Sequence, residues 1–246
     1  MVRHDPAVEI AIEADAAAVA RAAAAFIAAE IGRSPELSVL VATGGSPMAT
    51  YAELAGMRAR GELDASRVRA IQLDEYLDLA PGDPRSLAGW MERSFTEPLG
   101  ISRERAIRLE VAGDAEAGCR AFDAAVDAAG GIDLAVLGLG PNGHLGFNEP
   151  PSDVDAGTRV VVLTPESIVS NASYWGEGNV PLRAATAGMR LIMQARRVLL
   201  IVTGERKRAI LQRTLAEPPT PLVPASLLRL RDGVTVICDR DAMGAQ

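Results

Sequence analysis

Short hydrophobic runs alternate with amphipathic segments along most of the chain. The runs are rich in Val, Ile and Leu, as buried strands are, and the amphipathic segments repeat with the helical period. The runs predict strands at residues 37–42, 68–73, 132–137, 159–163, 198–203 and 234–238. The amphipathic segments predict helices at residues 14–31, 84–97, 114–129, 181–195, 205–216 and 225–230. Strands that alternate with helices predict an α/β fold with a mostly parallel sheet and helices on both of its faces.

Nothing in the sequence divides these elements into separate units. The chain has no internal repeat and no low-complexity linker, and 48% of its 246 residues are hydrophobic. A chain of this size and composition can bury one large core. We therefore predict a single domain over residues 1–246.

The charge and the cysteine content exclude several classes of protein. A net charge of −7 gives no attraction to nucleic acid or to an anionic membrane surface. Cys119 and Cys238 are too few for a disulfide framework and favour buried, reduced thiols. No apolar run approaches the ~18 residues of a membrane span, and acidic residues interrupt the N-terminal stretch where a signal peptide is apolar. We expect a soluble cytoplasmic protein, a monomer or a homo-oligomer, that binds neither nucleic acid nor membranes.

Ligands of open parallel sheets bind beyond the carboxyl ends of the strands, so the residues after each predicted strand are candidates for a site. The first candidate is the turn Thr43-Gly44-Gly45-Ser46, followed by Pro47. Its glycines let the backbone approach a ligand closely, and amides at a helix start can receive an anion such as phosphate. The hydroxyls of Thr43 and Ser46 add further donors. An ordinary tight turn with a serine cap has the same sequence.

Two acidic residues follow the next predicted strand. Asp74 and Glu75 precede Tyr76, and a buried carboxylate at a strand end can act as a general base. Acids in a solvated loop or at a helix cap explain the same pair equally well.

The loop after the most hydrophobic run has the strongest chemical signal. Residues 140–150 read Gly-Pro-Asn-Gly-His-Leu-Gly-Phe-Asn-Glu-Pro, with several glycines around one imidazole and one carboxylate. The chain has two histidines, and His4 lies near the N-terminus, so His144 is the candidate for proton transfer near neutral pH. Glu149 can orient it, and Asn142 lies beside it. Lone histidines are otherwise more often structural.

The fourth strand end contains the chain's only lysine. Lys207 follows the run 198–203, whereas the other 24 basic residues are arginines. A compact ammonium group at this point can bind a phosphate, although chance also explains its place. The sequence has no metal-ligand spacing and no cofactor motif, so we expect neither a metal nor a cofactor.

In this order, the four segments resemble the glucosamine-6-phosphate deaminase (isomerase) family over most of the chain. The turn 43–47 looks like the family's phosphate-side turn, and residues 73–76 look like its catalytic acid motif. Gly143-His144 and the run 147–150 look like its signature loop, which is the most specific of these motifs. Lys207 falls where the family keeps a phosphate-binding lysine.

The resemblance implies a Rossmann-like fold and a cofactor-free reaction on an aminosugar phosphate. The sugar is opened, isomerised from aldose to ketose and deaminated, so that glucosamine 6-phosphate gives fructose 6-phosphate and ammonia. By this resemblance His144 assists ring opening, and Asp74 moves the proton from C2 to C1. It assigns Glu149 and Asn142 to holding the histidine. The residues that it assigns to the phosphate side are Thr43, Gly44, Gly45, Ser46 and Lys207. Possible further members of the site are Glu75, Gly143, Ser173 and Arg183.

One residue departs from the family pattern. Members usually have a phosphate-binding arginine where this chain has Ser173, and the loss of such a charged hydrogen bond weakens anion binding by about 1–3 kcal/mol. Either Arg183, Arg206 or Arg208 takes its place, or the substrate is not the usual one. Val161 is also apolar where regulated members have a lysine, so we expect no activation by N-acetylglucosamine 6-phosphate.

Two other functions share this fold. The 6-phosphogluconolactonases have a similar Gly-His loop, but we expect them to continue it with small hydroxyl residues rather than with the run 147–150 seen here. The sugar-phosphate-sensing domains of bacterial regulators accompany a basic helix-turn-helix, whereas the first 35 residues here predict one acidic, Ala-rich helix. A binding protein without catalytic activity also stays open.

Overall fold

The computed structural model describes residues 8–244 and has a central sheet of seven parallel strands. These strands are β1 (Glu9–Glu13), β2 (Ser38–Val41), β3 (Arg69–Gln72), β5 (Ala106–Ile107), β6 (Leu134–Gly138), β9 (Arg197–Val202) and β10 (Val234–Asp239). A smaller antiparallel sheet consists of β4 (Asp74–Tyr76), β8 (Arg183–Thr186) and β7 (Arg159–Val162), in that order. The large sheet has the order β1-β10-β9-β6-β2-β3-β5.

Helices cover both faces of the large sheet. They are α1 (Ala16–Arg33), α2 (Gly45–Ala59), α3 (Leu87–Met91), α4 (Glu97–Leu99), α5 (Ala115–Ala128), α6 (Pro165–Trp175), α7 (Met189–Gln194), α8 (Arg208–Ala216) and α9 (Arg240–Met243). A π-helical turn joins α3 to α4, and 3-10 turns occupy Arg103–Arg105, Glu205–Lys207 and Pro224–Leu230. One apolar core forms under α1 and α2, and a second forms under α5, α7 and α8 on the opposite face. The predicted single-domain α/β fold, with a mostly parallel sheet and helices on both faces, is confirmed.

The central strands are buried on both sides, which explains their continuous hydrophobic runs. All four residues of β2 are buried. Leu40 belongs to the core under α5 and α8, whereas Val39 and Val41 belong to the core under α1 and α2. Burial on both faces is typical of parallel sheets. No helix within residues 8–244 is both long enough and apolar enough to cross a membrane.

The sheet changes its winding direction between β2 and β6. After β2 the chain passes through α2 and adds β3 on one side of β2. After β6 the next strand of this sheet, β9, is added on the opposite side, next to β6. At such a point the loops after the two strands diverge and leave a crevice beyond their carboxyl ends. The turn 43–47 and the loop 140–150 therefore border the same crevice.

Two predicted helices need correction. The helix predicted at 181–195 is wrong in its first part, because β8 pairs with β4 on one side and with β7 on the other, and only α7 is helical. The helix predicted at 84–97 begins at Leu87 and continues past Pro98. Pro98 lies in the first turn of α4, where a helix tolerates a residue without an N–H, and the π-helical turn precedes it.

Several elements are not predicted by the hydrophobic pattern. The strands β4 and β5 have three and two residues, too few for a period to be recognised. Strand β1 lies at the sheet edge with Ile10 and Ile12 exposed, so the first 35 residues contain a strand as well as a helix. The start of α6 does have a sequence signal, because Thr164 caps it and Pro165 opens its first turn. The helix predicted at 225–230 is a 3-10 turn.

Candidate active site

A pocket at the crevice between β2 and β6 brings the four candidate segments together. The predicted site residues in its wall are Thr43, Gly44, Gly45, Ser46, Asp74, His144 and Lys207. The other histidine, His4, lies outside the described residues. Within residues 8–244, no group of three or more His, Cys, Asp or Glu side chains is placed to hold a metal ion.

The loop after β6 holds the imidazole of His144 from one side. Its Nδ1 lies 3.3 Å from Oε2 of Glu149 and 3.2 Å from the hydroxyl of Ser167. The Glu149 carboxylate also accepts hydrogen bonds from the Asn142 side-chain amide at 2.9 Å and the Thr164 hydroxyl at 3.2 Å. Because Nδ1 faces the carboxylate, we assign the proton to it, which leaves Nε2 for chemistry in the pocket.

Glycines let this loop approach the ring closely. A Cβ on Gly140 would lie 2.1 Å from the ring Cδ2 of His144. Gly143 has a φ of 89°, and a Cβ there would lie 2.7 Å from the side chain of Val223. Gly143 thus shapes the loop from behind and does not line the pocket. The Asn142 side-chain oxygen accepts a hydrogen bond from the His144 backbone N–H at 3.2 Å and fixes the turn between them.

The hydrogen bonds around Glu149 decide its charge. Burial alone would raise the pKa of this carboxyl, but its hydrogen bond with His144 and the histidine's positive charge oppose burial. Hydrogen bonds from Ser167 and Asn142 add to them, and the pKa falls to about 2. Glu149 is therefore ionised at neutral pH and stabilises a positive charge on His144.

Asp74 presents a carboxyl of the opposite character. It is the first residue of β4, is only 6% exposed and lines the pocket. Burial, followed by the negative charge of Glu75, raises the pKa of Asp74 to about 8. A carboxyl with a raised pKa in a pocket is a candidate for proton exchange at neutral pH.

Glu75 faces away from the pocket, since neighbouring side chains of a strand point to opposite sides. Its carboxylate accepts hydrogen bonds from the backbone N–H groups of Tyr76, Leu87 and Ala88 at 2.8–2.9 Å. The Ser86 hydroxyl donates a fourth at 2.9 Å. Glu75 thus caps the N-terminus of α3, which matches the helix-cap alternative for this residue and not a place in the pocket wall.

The far end of the pocket favours an anion. Gly44 is the N-cap of α2 with a φ of 113°, a conformation that favours glycine. The N-terminus of this 15-residue helix and the ammonium group of Lys207 both favour negative charge. Burial lowers the pKa of Lys207, which a bound anion would oppose.

The pocket is not lined by Ser173, nor by any of the three arginines that could replace the family's arginine. The Ser173 hydroxyl donates to the backbone oxygen of Ser170 in its own helix. Arg183 pairs with Asp78 at 3.6 Å beside a different groove, because β8 begins there. Arg206 and Arg208 also lie outside the lining residues, among which Lys207 is the one lysine or arginine.

The wall formed by α3 and α6 was not predicted from the sequence. Trp90 of α3 and Ser170, Asn171 and Tyr174 of α6 line the pocket. The Tyr174 hydroxyl accepts a hydrogen bond from the Gly45 N–H at 2.8 Å. The adjacent pair Tyr174-Trp175, in a chain with only 4% aromatic residues, is the sequence signal in this segment.

A buried carboxyl, an oriented histidine and an anion-favouring turn at the switch point of a parallel sheet define a class of protein. Such a set is what an enzyme that moves protons on an anionic small molecule requires. The chain belongs to the family described as glucosamine-6-phosphate isomerases/6-phosphogluconolactonase, whose model matches residues 12–237. The family resemblance of the four motifs is thereby confirmed.

Known relatives cover almost the whole chain. The glucosamine-6-phosphate deaminase of Halothermothrix orenii is 37% identical over 235 residues, which are 95% of this chain and 98% of that protein. A solved structure described as a monomeric glucosamine-6-phosphate deaminase is 30% identical, with a TM-score of 0.93 over 97% of this chain and 100% of that one. The 6-phosphogluconolactonase of Trypanosoma cruzi is 18% identical with a TM-score of 0.80, over 99% of this chain and 98% of that one, and shows the shared fold alone.

Proposed function

We propose that the protein is an enzyme that converts glucosamine 6-phosphate into fructose 6-phosphate and ammonia. The observation that carries this proposal is the presence, in one pocket, of Asp74, an oriented His144 and the anion-favouring turn at Gly44. The named deaminases that match 95% of the chain support the same reaction. Amino sugar catabolism is the corresponding metabolic role.

Ring opening is the first step, and we assign it to His144. Glu149 holds Nδ1 at 3.3 Å, so Nε2 is the nitrogen that can deliver a proton to the ring oxygen. Ionised Glu149 stabilises the imidazolium form that donates this proton. The Asn142 side chain links the two, because its NH₂ group donates to Glu149 and its oxygen accepts from the backbone N–H of His144.

Isomerisation is the second step, and we assign it to Asp74. Moving a carbonyl from C1 to C2 requires a base that removes the C2 proton and returns it at C1. With its pKa near 8, the Asp74 carboxyl accepts a proton readily when ionised and releases it again. The proton transfer leaves an imine at C2; water adds to this imine, the C2–N bond breaks, and ammonia leaves as the C2 carbonyl of the ketose forms.

The phosphate is proposed to lie at the N-terminus of α2, near Ser46 and Lys207. The helix N-terminus and one ammonium group provide the positive potential, and the hydroxyls of Thr43 and Ser46 are nearby donors.

An ammonia-release assay tests the function. We expect wild-type protein to release ammonia from glucosamine 6-phosphate, and His144→Gln to lose about 10²–10⁴-fold of this activity, the usual contribution of a positioned proton donor. Asp127→Asn, an exposed acid on α5, is the control and should be unchanged. Galactosamine 6-phosphate and unphosphorylated glucosamine test the choice of sugar and the need for phosphate.

The same assay separates the alternatives. Hydrolysis of 6-phosphogluconolactone without ammonia release from any aminosugar would replace the proposal with lactonase activity. Tight sugar-phosphate binding without either reaction would indicate a sensor or binding protein. Location in the cytoplasm and the choice between monomer and homo-oligomer stay predictions, the latter measurable by sedimentation.

A further inference from the structure

Tyr174 lies at the anion-favouring end of the pocket, in the last turn of α6. Its hydroxyl oxygen accepts the Gly45 N–H at 2.8 Å, and its ring lies edge-on to Trp90 at 5.2 Å and to Trp175 at 6.4 Å. Trp90 is itself held, since its indole N–H donates to the sulfur of Met48 at 3.0 Å. Tyr174 is 42% exposed, and the two aromatic neighbours together with the Gly45 N–H set the position of its hydroxyl.

The hydroxyl changes what the helix N-terminus offers to a ligand. Pro47 has no N–H, so few backbone donors remain in the first turn of α2, and the Gly45 N–H already points at Tyr174. A tyrosine hydroxyl that accepts one hydrogen bond keeps its own proton for a second partner. Donation from the helix N-terminus polarises the hydroxyl and strengthens the hydrogen bond that it gives.

The pocket also has few positive charges for a phosphate. Among residues 8–244, Lys207 is the one lysine or arginine that lines it, and burial disfavours its charged form. Ser173, the neighbour of Tyr174, turns its hydroxyl back to its own helix. Neutral donors must therefore provide much of the binding, and Tyr174 is a fixed one whose oxygen touches the turn.

We propose that Tyr174 is a phosphate-binding residue of this site, whose hydroxyl is held by the Gly45 N–H and donates to the phosphate of the sugar. This inference rests on the proposed function for the identity of the substrate. In this arrangement the Tyr174 hydroxyl lies between the phosphate and the Gly45 N–H. The phosphate is therefore farther from α2 than a phosphate bound directly by that amide, and it lies between Tyr174, Ser46 and Lys207. Tyr174 thereby contributes to the preference for phosphorylated over unphosphorylated sugars.

Tyr174→Phe tests the proposal, because it removes the hydroxyl and keeps the ring against Trp90 and Trp175. We expect KM for glucosamine 6-phosphate and the dissociation constant of inorganic phosphate to rise about 5-fold to 10-fold, as for the loss of one hydrogen bond, with kcat within about 2-fold. Activity on unphosphorylated glucosamine, where measurable, should not change. Val169→Ala, on the exposed side of the same helix, is the control and should match the wild type.

Direct titration with inorganic phosphate keeps this test separate from the proposed reaction. If the wild type releases no ammonia but binds phosphate more tightly than Tyr174→Phe, the reaction is wrong and the role of Tyr174 stands. Phosphate binding that is unchanged in Tyr174→Phe would overturn the role of Tyr174. Tighter binding in the variant would overturn it as well and would show that the hydroxyl competes with phosphate for the Gly45 N–H. An unchanged melting temperature of Tyr174→Phe would confirm that the helix remains in place.

Discussion

Asp74 and Glu149 are both buried acidic side chains of one site, yet their surroundings act in opposite directions. At the start of β4, burial and the charge of Glu75 raise the pKa of Asp74 to about 8. In the loop after β6, hydrogen bonds and the charge of His144 overcome burial and lower the pKa of Glu149 to about 2. Burial raises both pKa values, and the difference comes from the hydrogen-bond donors around Glu149 and from the sign of the neighbouring charge at each carboxyl.

The opposite pKa shifts of Asp74 and Glu149 explain how two carboxyls can have different roles in one reaction. A group that gains and loses a proton near neutral pH suits the transfer between C1 and C2. A group that stays ionised suits the orientation of an imidazole and the stabilisation of its charge. Such a division of roles requires environments that push the two pKa values apart. Four variants or measurements can test whether Asp74 and Glu149 divide the reaction in this way.

The largest effect is expected for Asp74→Asn in turnover. The amide has a similar shape but cannot accept the C2 proton, so kcat for ammonia release should fall by about 10³–10⁴-fold. Steady-state assays measure this, with Asp127→Asn as a control for the general loss of a negative charge. Activity within a factor of ten of the wild type would remove Asp74 from the role of base.

Glu149→Gln should have a smaller effect of about 10²-fold on kcat, or about 2.7 kcal/mol. The variant keeps a polar partner beside Nδ1 of His144 but loses the ion pair that favours the imidazolium. KM for the sugar phosphate should change little, because Glu149 lies behind the histidine and not among the pocket-lining residues. A large rise in KM with unchanged kcat would contradict this assignment.

The two carboxyls should also act oppositely on stability. The pKa of Asp74 is higher in the folded state than its ordinary 3.8, so the wild type loses stability as the pH rises from about 4 through 8. Asp74→Asn should therefore be more stable than the wild type at pH 9, by up to about 5 kcal/mol, because each unit of the raised pKa costs the ionised wild type about 1.4 kcal/mol. The pKa of Glu149 is depressed, so its stabilising effect is present above the unfolded-state value and is lost as the pH falls towards 2.

Thermal unfolding at several pH values checks both signs. Glu149→Gln should be less stable than the wild type at pH 7, and this difference should shrink in acid. A stability of Asp74→Asn below that of the wild type at pH 9 would show that the Asp74 carboxylate has stabilising partners in the folded protein.

The smallest effect is the pH dependence of the wild type. Because Asp74 must be ionised to act as a base, kcat/KM should fall about 10-fold for each pH unit below 8. Glu75→Gln should move the midpoint to lower pH by removing the neighbouring negative charge. A profile that stays flat between about pH 6 and 9 would contradict the raised pKa of Asp74.

Much of the fold was predictable from strands that read as unbroken hydrophobic runs. The same runs pointed to the site, because ligands bind beyond the ends of parallel strands, and the residues after four strands do line one pocket. The strands β4 and β8 were not predicted, because neither contains a hydrophobic run of its own and their pairing joins segments that lie far apart in the chain.

That missing pairing also left the roles of Asp74 and Glu75 open. Neighbouring side chains of a strand point to opposite sides, but which of them faces the pocket depends on where β8 lies. The tertiary structure places Asp74 in the pocket and Glu75 under α3.

By itself the sequence determined the α/β architecture, the loop around His144 and the anion-favouring turn, because each depends on local pattern or on glycine at a tight turn. Only the tertiary structure decided the opposite pKa shifts of Asp74 and Glu149 and the position of Tyr174 beside Gly45. Ser167, which donates to Glu149, and Tyr174, which accepts from Gly45, come from α6, which no local pattern connects to these strand ends. Electrostatics depends on distances in space, and folding sets those distances.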